Sequence, residues 1–405
     1  MSRLRTLNDV ILPQIAASGC LGDNVHFVEC FLEDKVKGEA QFASTVVFVV
    51  AVFQSDEGTF QQPLVVKYNM GNADVRKWLK LDYQFRNEVI TYEKVLPFLN
   101  RDKKVNKIFP KYIYGSANES EDPNEYIIIL EDLRSTAYKL SPEFLDLDFD
   151  HCAMAFKKLG EFHALSFVAK QLNPKAFYQN VNQLIETRLF DDNKEDANDL
   201  YVLSFNRASE ELLKNGEFID EIVGFKNKLK CDSQSYLKHL VTAEEPMAVI
   251  CHGDFCRNNI LYKYDQSGTP VDVKFFDLAT SRYSSPMIDF SFFFFLNSSQ
   301  ESRKQNREKY LSIYYEALSS AVPAEVKVPS FEDFKEEFLR KAVYGFMISI
   351  FFKPAMMDPV PFNPEIEVSL PRETRAAKLV QNGGQKGTEV IVNMLREILE
   401  LKLVL

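Results

Sequence analysis

The stretch that decides how this chain reads is Ile250-Cys251-His252-Gly253-Asp254-Phe255-Cys256-Arg257-Asn258-Asn259-Ile260-Leu261-Tyr262, followed by Val273-Lys274-Phe275-Phe276-Asp277-Leu278. An H-G-D-x-x-x-x-N loop flanked by apolar strands, with the second strand ending in Asp, is an arrangement suited to phosphoryl transfer. Asp254 can face a hydroxyl nucleophile. Asn259, across a tight loop, can reach a metal ion, and Asp277 can hold a metal that bridges phosphates. The offset from Asp254 selects Asn259 over its neighbour Asn258.

Phosphoryl transfer asks a protein mainly to position phosphates and metal and to neutralise charge. Upstream residues supply the missing groups. Pro63-Leu64-Val65-Val66-Lys67-Tyr68 reads as a strand with Lys67 near its end, where it can reach phosphates. Phe85, Val89, Tyr92 and Leu96 then recur at helical spacing, and Glu88 lies among them. A carboxylate on an apolar face needs a partner, and Lys67 fits that need. Taken alone, Lys67 reads as a solvated strand-end lysine and Glu88 as a surface charge; their order ahead of the loop reverses both readings. Asp254 needs no raised pKa, because the hydroxyl proton leaves late in a loose transition state. Alone it reads as a turn residue, and Asp277 as a strand end.

Other residues near the loop have plainer readings. His252 braces it through hydrogen bonds, and His163, on a helical apolar face, is a satisfied core histidine. Asp289, after Ser284-Ser285-Pro286, reads as a helix N-cap, with a buried brace for the loop as the other reading. Arg257 is placed to add charge near a γ-phosphate, although the sequence does not fix its direction. Gly38-Glu39-Ala40-Gln41-Phe42-Ala43-Ser44 sits where a phosphate-covering loop belongs, with Ser44 at its end, but holds one glycine.

The 405 residues suffice for two lobes and a large core. A net charge of −10 argues against a nucleic-acid binder. The six cysteines form no regular framework and read as reduced intracellular thiols; Cys251-His252 with Cys256 is half of a zinc site without a second half. Met1–Cys20 is broken by Pro13 and Gln14 and is not a signal peptide, and no apolar run reaches a membrane span, so a cytoplasmic protein is expected. Strands are predicted over His26–Glu33, Thr45–Phe53, Pro63–Tyr68, Ile108–Tyr114 and Tyr126–Leu130, and helix over Asp74–Asn100 and Asp150–Gln171. Helical segments continue to Leu240 and again from Asp289, interrupted by a loop at Lys353–Pro371.

The ordered set Lys67, Glu88, Glu131-Asp132-Leu133, His252-Gly253-Asp254, Asn259 and Asp277 resembles the protein-kinase-like superfamily in its aminoglycoside/choline kinase branch. Leu159-Gly160-Glu161-Phe162-His163-Ala164 and Tyr283-Ser284-Ser285-Pro286-Met287-Ile288-Asp289 extend the match to the ecdysteroid kinase-like family, over roughly residues 25 to 350. The resemblance implies an α+β, bilobal protein-kinase-like fold: a small β-rich N-lobe over residues 1–133 and a larger, mostly helical C-lobe over 134–405. It implies Asp254 as catalytic base, Asn259 and Asp277 as Mg2+ ligands, and Lys67, paired with Glu88, on the α- and β-phosphates of ATP. The adenine would lie on the backbone near Glu131 and Leu133. The acceptor would be a small alcohol, an ecdysteroid or a dietary toxin. A choline- or aminoglycoside-type kinase and a silent nucleotide or ligand carrier are the rival readings. The glycine-poor loop and Leu278-Ala279 after Asp277 depart from the general kinase pattern.

Overall fold

The computed structural model describes residues 3–33, 44–70, 72–100, 103–119, 122–189, 195 and 199–403. The architecture is α+β and bilobal. Its first body is a five-stranded antiparallel sheet in the order β1-β2-β3-β5-β4. The strands are β1 (His26–Leu32), β2 (Ser44–Ser55), β3 (Gly58–Asn69), β4 (Tyr112–Ser116) and β5 (Ile127–Glu131). Valine, isoleucine and phenylalanine dominate β2, β3 and β5, and their alternation sorts side chains onto two faces. Ile127 and Ile129 join Val49, Ala51, Phe53, Leu64 and Val66 under the N-terminal helical residues Leu7, Leu12 and Ile15. Ile128 and Leu130 point the other way, into the core that fills the second body. The phosphate-loop candidate 38–43 lies outside the described residues; Ser44 opens β2, buried and paired with Asn69.

Between β3 and β4 the predicted single helix is broken. Helix α1 (Ala73–Leu79) and helix α2 (Leu81–Ile90) meet at Lys80, whose φ is +58°. Helical turns continue to Leu99. The strand expected at Ile108–Tyr114 begins only at Tyr112. Ahead of it Phe109 is fully buried in the large core, and Pro110 has no N–H to offer a ladder.

The chain leaves the sheet at Glu131 and passes through the turn Leu133–Thr136 into the helical body. Strand β6 (Tyr138–Lys139) pairs with β8 (Ile260–Tyr264), which pairs with β9 (Pro270–Phe275). Strand β7 (Val249–Cys251) pairs with β10 (Arg282–Ser284). Around these small sheets pack α3 (Phe149–Leu172), α4 (Ser204–Lys214), α5 (Ile219–Val241), α6 (Met287–Asn297), α7 (Gln300–Ala321), α8 (Phe331–Met357), α9 (Arg372–Gln381) and α10 (Gly384–Glu400). Every residue of α6 is buried, so the Phe-rich run is core packing. Gly160 lets α3 approach α7 closely, since a Cβ there would lie 2.3 Å from the Tyr314 carbonyl oxygen. Helix α8 runs through Lys353 and Pro354 to Met357, past the start of the expected loop. Buried Lys353 pins that turn through Asp146 (2.6 Å) and the Ser298 carbonyl (3.2 Å), which offsets the backbone bond that proline cannot make. Among the described residues no helix is long and apolar enough to cross a membrane.

Candidate active site

Lys67 lies in β3 between Val46 of β2 and Ile128 of β5, so the sheet fixes its backbone from both sides. Its Nζ donates to Glu88 Oε2 at 2.6 Å and to Asp277 Oδ1 at 3.0 Å. The first is the length of a charge-assisted bond. Glu88 is 1% exposed on α2, which makes Lys67 the partner its burial requires. Burial pulls the Lys67 ammonium down, but the charges of Asp277 and Glu88 outweigh it and hold the group above its ordinary value. Burial pushes the Glu88 carboxyl up, with Lys67 pulling it back and Asp277 pushing further, to about 7. Asp277 sits below its ordinary value: burial would raise it, and Lys67 more than reverses that. Its φ is +64°, a conformation Asp tolerates better than most residues, and its side chain remains 31% exposed.

The H-G-D loop is held from behind. Asp289 accepts from the His252 N–H (Oδ2, 2.6 Å) and the Gly253 N–H (Oδ1, 2.8 Å), and His163 Nε2 reaches its Oδ2 at 3.2 Å. The N-cap position of α6 is Pro286, so the capping reading of Asp289 is overturned: it is a buried brace in the helix's first turn. His163 completes the chain through Nδ1 and the Tyr314 hydroxyl (2.9 Å), a fully satisfied core histidine. His252 Nε2 donates to the Phe276 carbonyl at 2.9 Å while Nδ1 accepts from the Asp254 N–H at 3.4 Å, so the ring ties the loop to the residue before Asp277. Gly253 has φ +84°, and a Cβ there would lie 1.9 Å from the Thr280 carbonyl oxygen. No other residue fits.

Asp254 follows, with its side chain 29% exposed. Asn259 Nδ2 donates to its Oδ2 and to its backbone carbonyl, both at 2.9 Å. The Phe276 N–H donates to the Asn259 carbonyl at 3.1 Å, continuing the β8–β9 ladder and setting Asn259 beside Asp277. With its amide nitrogen on Asp254, Asn259 has its side-chain oxygen left for a cation. One carboxylate and one amide oxygen form a donor set that fits a hard divalent ion such as Mg2+. Lys67, Glu88, Asp277, Asn259 and Asp254 are thus brought together at one place. Glu131 ends β5 opposite Leu64, its Oε2 accepting from the Lys111 N–H at 3.1 Å, and Leu133 is buried in the turn that follows.

Two arginines changed standing. Arg257 is buried and committed to the loop after β6, donating to the carbonyls of Ser141 (2.5 Å) and Glu143 (3.1 Å). Arg188, which the sequence reading passed over, bonds directly to Asp254 Oδ1. It lies in a turn after the helix that ends at Val181, outside any motif, so no sequence signal marked it. The thiols of Cys251 and Cys256 are pushed well above their ordinary value, chiefly by burial, and stay protonated. A surface hollow of ≈580 Å³ lined by Lys104, Lys107, Lys157 and Glu161, among others, includes none of the site residues.

A family model described as the ecdysteroid kinase-like family matches residues 38–324, more than half of the chain. The chain belongs to the ecdysteroid kinase-like family. No match was found among the curated proteins. Three solved structures resemble this family member loosely, each at a TM-score of 0.41. The GDP and kanamycin complex of APH(2")-IIia has 11% identity and spans 96% of this chain and 99% of its own. A Plasmodium vivax ethanolamine kinase has 15% identity over 93% and 87%. The amicoumacin kinase hAmiN, in complex with AMP-PNP, Ca2+ and Ami, has 10% over 89% and 89%.

Proposed function

We infer that this ecdysteroid kinase-like protein is an ATP- and Mg2+-dependent phosphotransferase acting on a hydroxyl of an ecdysteroid-like or xenobiotic alcohol. The observation that carries the reading is the Lys67–Glu88–Asp277 cluster beside the Asp254–Asn259 pair. In this reading the division between the ATP-holding lobe and the acceptor-holding lobe falls at Leu133. The adenine lies against the backbone of Glu131–Leu133, and Ser44 stands at the phosphate end of β2. Lys67, oriented by Glu88, binds the α- and β-phosphates. Asn259 and Asp277 hold Mg2+, which supplies charge neutralisation on the phosphate oxygens when bound.

Asp254 hydrogen-bonds the acceptor hydroxyl and aims it at the γ-phosphorus. The new O–P bond forms as the bond to the bridging oxygen of ADP breaks, and the hydroxyl proton passes to Asp254 late in the step. Its carboxylate carries no unusual demand, since orientation comes first and proton acceptance second.

The test is product detection by mass spectrometry over a panel of ATP-supplied alcohols: ecdysone, phenolic and benzylic alcohols, choline and kanamycin. Wild-type chain is expected to phosphorylate a neutral alcohol, and Asp254→Asn to lose about 10³-fold or more in kcat with ATP binding retained. Turnover that survives Asp254→Asn would assign the base wrongly. ATP binding with no product across the panel would favour a silent carrier instead.

A further inference from the structure

A dissociating phosphoryl group spreads negative charge over its oxygens, and a cation aimed there lowers the barrier. Arg257, the one loop residue placed by sequence to supply it, spends its guanidinium on the Ser141 and Glu143 carbonyls. Arg188 stands where Arg257 does not. Its Nη2 contacts Asp254 Oδ1, the oxygen that Asn259 leaves free. Among the described residues that is the only hydrogen bond of its guanidinium, which otherwise lies over the Phe292 ring at 5.9 Å. At 18% exposure the side chain is largely desolvated yet not sealed from solvent.

The turn that presents Arg188 is built. Glu186 Oε1 accepts from the backbone N–H groups of Thr187 (2.9 Å), Arg188 (2.8 Å) and Leu189 (3.0 Å), and Arg282 Nη2 approaches the same oxygen at 3.3 Å. The Ile185 N–H donates to Asn87 Oδ1 at 2.8 Å. Asn87 precedes Glu88 on α2, and its Nδ2 donates to the carbonyls of Ala279 (3.2 Å) and Ser281 (2.9 Å), just past Asp277. One asparagine therefore joins the Arg188 turn, the helix that orients Lys67 and the segment that carries Asp277. Such bracing fixes the backbone from which Arg188 projects relative to the reacting groups, and leaves the side chain to move.

We propose that Arg188 is a catalytic residue of the transfer: it holds Asp254 in the free chain and swings onto the oxygens of the transferring phosphoryl group when the acceptor hydroxyl takes its place. The proposal rests on the phosphotransferase reading above. It adds no reactant: the acceptor oxygen gains the phosphoryl group, ADP leaves with the bond's electron pair, Asp254 takes the hydroxyl proton and Arg188 keeps its own.

The experiment compares full-length wild type, Arg188→Ala and Arg188→Lys with ATP–Mg2+ and whichever panel alcohol the wild type phosphorylates. Arg188→Ala is expected to lower kcat about 10²–10³-fold at every pH with little change in the KM for ATP, and Arg188→Lys to recover part of the loss. Calorimetry of ADP with fluoroaluminate, a mimic of the transferring group, gives a readout without turnover. Wild type is expected to bind ADP plus fluoroaluminate at least about tenfold more tightly than ADP alone, and Arg188→Ala to lose that gain. Matching circular dichroism and melting separate this from misfolding, with Arg188→Lys as the variant that keeps the charge if alanine unfolds.

If Arg188 serves only to neutralise Asp254, the alanine variant keeps its plateau rate and merely shifts the acid limb upward; that outcome overturns the proposal, as does an unchanged fluoroaluminate affinity. An inactive wild type sinks the phosphotransferase reading first, and this one with it.

Discussion

Gly253 is the residue on which the site's geometry turns most sharply. Its φ of +84° is costly for a residue with a Cβ, and a Cβ would meet the Thr280 carbonyl oxygen at 1.9 Å. Gly253→Ala is expected to destabilise the fold by about 2–4 kcal/mol, because neither backbone can retreat without moving Asp254 or the segment past Asp277. Urea unfolding measures the first effect, and turnover at temperatures where the variant is still folded measures the second. A variant as stable and as active as wild type would mean that the loop is not packed as described. Glu88 shows the same residue-scale logic in reverse. Its place on an apolar helix face was legible in the sequence because a buried carboxylate demands a partner. That Lys67 would share itself with Asp277 as well was not, since the sequence does not set distances across 210 positions.

At the scale of elements, the H-G-D loop is an appendage of three helices. Asp289 of α6 takes both leading N–H groups, His163 of α3 supports Asp289, and Tyr314 of α7 supports His163. Burial alone would raise the Asp289 carboxyl, but the hydrogen bond from His163, the electrostatic pull of the nearby imidazoles and the Gly253 N–H outweigh it and hold it below its ordinary value. Asp289→Ala leaves two buried N–H groups unpaired and is expected to cost about 3–5 kcal/mol, with a fall in kcat as the loop relaxes. A lowered pKa in the folded chain means the stabilisation is complete above the unfolded Asp value of ~3.9 and is lost as pH falls through the folded one. The stability gap between wild type and variant should therefore narrow in acid. A gap that is constant from pH 7 down to unfolding would remove Asp289 from that role. The capping reading failed for a physical reason. Asp at a helix start is satisfied equally well by its own first turn or by a neighbouring loop, and only packing chooses between them.

At the scale of the whole molecule, the C-terminal segments reach back to the small lobe. Trp78 of α1, the sole tryptophan of the chain, faces Phe362 (ring centroids 6.4 Å apart) and Arg375 of α9 (5.2 Å to the ring). The same α9 carries Arg372, which pairs with Glu195 and Asp199, in the stretch that follows Arg188. One helix thus touches both Trp78 of the small lobe and acidic residues of the second body. Phe362→Ala is expected to shift Trp78 emission to the red by exposing the indole, and to lower the melting temperature by about 1–3 °C, as a half-buried aromatic contact in a chain of this size would. An emission maximum unchanged from wild type would show that the contact is absent in solution.

The sequence by itself determined the local parts. Apolar alternation set the strands of the first sheet, helical spacing set α2 and α3, and the fixed offset from Asp254 to Asn259 set the loop, because each depends only on neighbours along the chain. It also named Lys67, Glu88, Asp254, Asn259 and Asp277, which the packing brings together. The tertiary structure alone decided which cation meets Asp254, which carboxylate braces the loop, and where Arg257 spends its charge. Those choices rest on distances between segments far apart in the chain, set by burial and hydrogen-bond satisfaction once the two bodies pack, and no local pattern encodes them.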